Sequence, residues 1–241
     1  MSRITNKGAV APLALFQTTT DASAETYTGQ RFDLSDGREV VFVQAGAVAL
    51  VADNLIQSSA IVANHQNIAV TTAAAGATQI TVTLGATAAT ANQYQGGFVA
   101  INAGTGIGQT LKISSHPAAN ASATLVLTLE DALVAAVATA DSKAVLIANP
   151  YDAVIVNPTT ATGTPVGVAF YPIAASAYGY LISKGPVGAL SDASVAAVGL
   201  GIMPSTTTAG TITVGTATGA RIGRALQTGV SAEARVVYVD L

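Results

Sequence analysis

The sequence predicts a mainly β protein, of β-barrel or β-sandwich type, carrying a β-rich insertion and at most one or two short helices. Three observations predict it. Short runs of β-branched and aromatic residues recur along the chain. Turn residues separate these runs roughly every 8–12 positions in the C-terminal part, the spacing of sandwiches and barrels. Where a run is long enough to have a period, the period is two, which belongs to a strand with one face buried.

Met1 to Gly29 is polar and threonine-rich around the apolar island Ala9 to Phe16, and no period is sustained through it. Arg3 and Lys7 before that island imitate a signal peptide, but Pro12 interrupts it and no small-residue cleavage site follows. An N-terminal arm over 1–29, ordered against a partner, is the expectation. From Gln30 the texture changes. Asp36-Gly37 marks a turn, then Val40-Val41-Phe42-Val43 and Ala47-Val48-Ala49-Leu50-Val51 read as strands parted by Gly46, with Ile61-Val62 and Ile68 to Thr71 continuing the pattern.

Thr72 to Gln79 is low in complexity, and Ile80-Thr81-Val82-Thr83-Leu84 then alternates strictly. Phe98 to Ile101 and Leu111 to Ile113 flank the glycine-rich stretch Asn102 to Gly108 as strand, turn and strand. Leu125, Leu127 and Leu129 line one face of the next strand. Glu130 to Thr139 is the best helix candidate, with acids in its first turn and alanine and leucine behind them. Ala144 to Val156 returns to strand, broken by Asn149-Pro150-Tyr151. Strands then follow at Val166–Phe170, Tyr178–Ile182, Val198–Met203, Ile212–Val214, Ile222–Leu226 and Arg235–Val239. The textural changes predict a discontinuous domain, 30–64 with 149–241, interrupted by a β-rich inserted domain over 65–148.

Composition excludes several function classes. The chain has no cysteine, so neither a disulfide framework nor a thiolate metal site is available. Net charge is -3 and no basic cluster exists, which argues against nucleic acid as a partner. No apolar run approaches the ~20 residues that a membrane-spanning helix needs. Charged residues make up 10% of the chain, against about 25% in ordinary soluble domains. Between Val40 and Leu111 only Asp53 is charged, and 153–183 and 193–220 carry no charge. Either the surface is an uncharged Thr/Ser/Asn/Gln one, or much of it faces other protein copies in a permanent assembly.

Motifs with catalytic overtones fail on context. Gly104-Thr105-Gly106-Ile107-Gly108 resembles a dinucleotide loop, yet a strand rather than a helix follows it. The two histidines are His65 and His116. Ser114 and Ser115 precede His116, but neighbours in a strand point to opposite faces, and no orienting carboxylate is indicated. No histidine spacing suits a metal. Glu130-Asp131 is explained by the start of a helix, and Tyr151, Phe170, Tyr171, Tyr178 and Tyr180 form an aromatic concentration suited to packing, with a glycan platform as the other reading. The expectation is therefore no catalytic, cofactor-binding or metal site, no cofactor and no enzymatic activity.

A set of glycine-anchored phrases carries a resemblance. They are Tyr94-Gln95-Gly96-Gly97-Phe98, Asn102 to Gly108, Lys112-Ile113-Ser114-Ser115-His116-Pro117, Asn149-Pro150-Tyr151, Pro165 to Ala169, Tyr178-Gly179-Tyr180-Leu181 with Gly185-Pro186, and Ile222-Gly223-Arg224-Ala225-Leu226. From about Phe32 to its C-terminus the chain resembles the decoration, or cement, proteins of tailed bacteriophages. The resemblance implies a β-rich homotrimer, made in the bacterial host cytoplasm and seated on the virion's capsid surface. There it would bridge capsomers by binding the major capsid protein and its own copies. A head-fibre, tail or host-binding adhesin component of the virion is the alternative, with the tyrosines contacting glycan.

Overall fold

The computed structural model describes residues 27–195, 197–215 and 221–241. The expected N-terminal arm therefore lies outside the described residues except for 27–29. The chain divides into two compact units: residues up to Ser59 with Pro150–Leu241 (unit 1), and Ala60–Asn149 (unit 2). The boundaries expected from texture fall within a few residues of these.

Unit 2 is a closed antiparallel barrel. Its strands are β4 (Ile68–Val70), β5 (Gln79–Thr83), β6 (Phe98–Ala103), β7 (Thr110–Ser115), β8 (Thr124–Leu129) and β9 (Lys143–Ile147), joined in the cyclic order β4-β5-β8-β7-β6-β9. Period-two sequences build it. Ile80 and Val82 pair with Leu127 and Leu125, all four fully buried, while Thr81, Thr83 and Thr128 look outward. Ile68, Val70, Val99, Ile101, Leu111, Ile113 and Leu146 complete the interior. Closure pairs every strand on both sides, so no edge is left to template association.

The expected helix over Glu130–Thr139 is absent. The segment is irregular, and its backbone bonds outward to other segments. Leu133 N–H donates to Ala77 O, and Val137 and Ala73 exchange a pair of bonds. The Gln109 side chain accepts from the amides of both Val134 and Ala135, at 2.8 and 2.9 Å. Leu133 and Val137 are buried against the barrel core, so their i, i+4 spacing reflects two anchors of an extended segment. Glu130 pairs with Lys112 at 2.9 Å instead of capping a helix. The described helical content is one 3-10 turn, Ala63–His65, at the place where Ile61-Val62 was expected to continue as strand.

Unit 1 is a ten-stranded antiparallel sheet. Its strands are β1 (Arg31–Asp33), β2 (Glu39–Gln44), β3 (Leu55–Gln57), β10 (Ile155–Val156), β11 (Pro165–Val168), β12 (Tyr178–Leu190), β13 (Gly201–Pro204), β14 (Ile212–Val214), β15 (Gly223–Ala225) and β16 (Ala234–Asp240). The order is β10-β3-β11-β12-β16-β15-β13-β14, with β2 pairing β12 and β1 pairing β2. Both faces near β2 are covered. Val40, Leu55 and Ile182 enter one core cluster, while their neighbours Val41, Ile56 and Leu181 enter another. That explains the uninterrupted Val40-Val41-Phe42-Val43 run, since a strand buried on both faces loses its alternation.

Two further expectations are corrected in unit 1. Ala47–Val51 is not a strand: Val48 and Val51 are 71% and 58% exposed, Leu50 alone makes a bridge, to Ile173, and the chain turns at Asp53 with φ 64°. The strand that begins at Tyr178 does not end at Ile182 but runs on through Gly185-Pro186 to Leu190. A register shift between Ile182 and Lys184 divides its pairing. Residues 178–184 face β2 and 184–190 face β16, so one long strand joins two stretches of sheet.

Candidate functional site

The outward faces of β12, β15 and β16 carry the groups left over after packing. In β16, Arg235, Val237 and Val239 point inward, and Val236, Tyr238 and Asp240 point outward. Arg224 lies opposite Tyr238, and Lys184 opposite Asp240. Together with Arg221, Leu226, Gly199, Gly201 and Gly223 they line an open trough of about 810 Å³. Lys184 is tied to Asp240 at 3.3 Å, which holds its ammonium above the ordinary range. Arg221 and Arg224 have no ion pair among the described residues, so the trough presents two uncompensated guanidinium groups. Gly201 makes room for the first of them: a Cβ there would lie 2.7 Å from Arg221 Cδ and Nε.

An aliphatic rim adjoins these cations. Val198, Leu200, Leu226 and Val236 are 63%, 36%, 46% and 43% exposed. They belong to one patch because their backbones interlock: Gly199 N–H donates to Ala225 O, Ala225 N–H to Leu200 O, and Leu226 N–H to Val236 O. Arginine is enriched at protein-binding surfaces and aliphatic groups form their cores, and here both lie beside the paired Lys184 and Asp240. The trough's described lining holds no serine, threonine, cysteine or histidine. It can bind carboxylates through the guanidinium forks and release water from the aliphatic rim. In the sequence only the phrase Ile222-Gly223-Arg224-Ala225-Leu226 marks part of this face; Lys184 and Val236 join it through strand pairing.

The two histidines, far apart in sequence, meet on one tyrosine inside unit 2. The Tyr94 hydroxyl donates to His65 Nδ1, and His65 Nε2 donates to Thr87 O at 2.9 Å. Burial pushes the Tyr94 phenol up to about 12, which keeps that donor protonated. The Tyr94 amide donates to His116 Nε2 at 2.9 Å, and His116 Nδ1 donates to Pro117 O at 2.8 Å. Burial lowers the His116 pKa, with the bond to Pro117 opposing it. All four ring nitrogens are thereby engaged, and none is left to activate Ser114 or Ser115. The cluster is a buried polar clamp between the 92–97 turn and the end of β7.

The remaining sequence candidates are occupied structurally. Gly104–Gly108 is the β6–β7 turn, and its Thr105 amide and hydroxyl both donate to Asp141 Oδ2 at 3.0 Å, so the loop's anion-binding capacity is met within the chain. Phe42 stacks on Tyr178 at 5.6 Å and meets Tyr180 at 5.2 Å, while Phe170 and Tyr171 pack edge to face at 4.8 Å. Tyr171 is buried and its hydroxyl accepts the Tyr180 amide at 2.9 Å. Tyr151 receives Arg31 Nη2 at 3.2 Å. These rings engage one another and the backbone rather than forming an open platform. Among the described residues no group of three or more His, Asp or Glu side chains is placed to hold a metal ion, and no helix is long and apolar enough to cross a membrane. No family model matches the chain, and no curated protein or solved structure matches it.

Proposed function

We propose that the protein is a structural virion component, a decoration protein that stabilises a bacteriophage head by bridging capsomers, and that it is not an enzyme. The observation that carries this reading is the arginine–aliphatic face on β15 and β16, whose side chains are suited to binding protein. The resemblance of the chain from Phe32 onward supplies the identity of that protein, the major capsid protein, and the homotrimeric state. A ligand that binds only the assembled lattice stabilises it by mass action, and scarce surface charge suits a protein whose surface is shared with neighbours. Closed symmetry satisfies apolar surface that would otherwise lead to open-ended association.

The test is reconstitution on capsids lacking the protein. Wild-type protein should co-sediment with them and raise the temperature at which they release their contents. A double substitution, Arg224→Glu with Leu226→Ser, should weaken binding by at least tenfold while leaving the protein folded. Capsids equally heat-resistant with and without the protein, together with a stable monomer at sedimentation, would overturn the proposal.

A further inference from the structure

Arg235 is the largest fully buried side chain among the described residues, at 1% exposure. It sits on the inward face of β16 opposite Ala189, in line with Val237 and Val239 of the apolar core. Among the described residues none of Nε, Nη1 and Nη2 has a hydrogen-bond partner, and no carboxylate forms an ion pair with them. A guanidinium carries five donors and stays charged at any ordinary pH. Left uncompensated in an interior, such a charge is strongly destabilising.

The surroundings specify what would compensate it. The loop 227–233 folds over the guanidinium and is held by the reciprocal backbone bonds of Gly229 with Val195, 3.0 and 3.2 Å long. Gly229 packs closely there: a Cβ would stand 3.1 Å from Arg235 Nη1 and 3.0 Å from Glu233 Oε2. The Glu233 carboxylate therefore lies just across this glycine, yet it accepts a 3.3 Å bond from the Val230 amide rather than pairing with the arginine. Asp192, whose main-chain carbonyl accepts from Ser231 in the same loop, bonds Ser205 and Thr207 through Oδ2 and leaves Oδ1 buried without a partner. Glu233 is thus engaged by the loop backbone and Asp192 by two hydroxyls, and among the described residues neither carboxylate pairs with the guanidinium.

We propose that the buried Arg235 guanidinium, beneath the 227–233 loop, is the seat of a carboxylate ligand. The planar fork matches a carboxylate in a bidentate pair. Opening the Gly229–Val195 bridge uncovers it. Two sources share this chemistry, a free small carboxylate and a carboxylate side chain from another copy of the protein. This inference stands independently of the capsid reading.

The experiment is thermal unfolding of the full chain with formate replacing chloride at constant ionic strength and pH. The melting temperature should rise saturably, by roughly 5 °C at about a hundred times the half-saturating concentration. Arg235→Met should abolish the response. Arg235→Lys, which keeps the charge but not the fork, should weaken half-saturation about tenfold and serves if the methionine variant does not fold. If another copy supplies the group, the melting temperature depends on protein concentration and formate removes that dependence. A formate response undiminished in both variants overturns the proposal. So does a wild-type melting temperature indifferent to both formate and protein concentration. Loss of stability in Glu233→Gln with no formate response in either protein also overturns it, by assigning the counter-charge to Glu233.

Discussion

Replacing His116 by alanine should loosen unit 2 and remove an acid sensitivity that the wild-type protein has. His116 Nε2 is the acceptor for the buried amide of Tyr94, and its ring is 3% exposed. Alanine leaves that amide unpaired at a cost of about 1–3 kcal/mol, and the space vacated by the ring adds to it. The pH effect follows from the same bond. A proton on Nε2 would set two donors face to face, and burial already lowers the folded-state pKa. The folded state therefore holds fewer protons than the unfolded chain, whose histidine titrates near about 6.5. The His116 contribution is complete above that value and declines as pH falls through it toward the lowered folded value. Hydrogen exchange of peptides from 60–149, measured from pH 7.5 to 5 and corrected for intrinsic rates, reads both effects. His116→Gln, whose amide oxygen can accept from Tyr94, should recover part of the protection and none of the pH dependence. Equal protection in wild type and alanine variant at pH 7.5, or an identical pH profile in the two, would refute the reasoning.

Gln109→Ala removes the acceptor shared by Val134 and Ala135 and the donor to Gly106 O and Ala135 O; it should cost about 1–3 kcal/mol, with exchange rising first in peptides spanning 130–139. Gly97→Ala places a Cβ 2.2 Å from Ile147 O and 2.8 Å from Asn149 N, so β6 and β9 must separate and the melting temperature of the full chain should fall by several degrees. Alanine at His65 should leave the proposed capsid binding intact once stability is matched by lowering the assay temperature; a loss of binding at full folding would count against a purely structural clamp.

The legible parts of the sequence are those where one face is buried. Ile80-Thr81-Val82-Thr83 and Leu125-Val126-Leu127 declare their strands because the barrel interior takes every second side chain. Glu130-Asp131 and the alanines and leucine behind them misled because Glu130 pairs with Lys112 while Leu133 and Val137 anchor an irregular segment to the barrel. Ala47–Val51 misled because small apolar residues fit exposed turns as well as strands. The strand expected over Tyr178–Ile182 was too short because its pairing shifts register between Ile182 and Lys184 and then continues on a second partner. Beyond the phrase Ile222–Leu226 the trough was not legible, because whether Arg221 and Arg224 are unpaired depends on which acids the fold brings near. Arg235 left a signal, since the register that buries Val237 and Val239 in β16 must bury the arginine as well.

The nested layout of the chain also has a consequence for biosynthesis. The strand Glu39–Gln44 leaves the ribosome early, but its partner Tyr178–Leu190 lies beyond the whole of Ala60–Asn149. At about 5–20 residues per second, Val40 to Val43 must wait on the order of ten seconds for cover. Meanwhile the barrel, whose partners all lie within its own segment, is free to close. The newborn chain thus carries a finished barrel on an unfinished sheet, with its stickiest strand exposed. Nascent-chain capture by a hydrophobic-binding chaperone would fall in that interval.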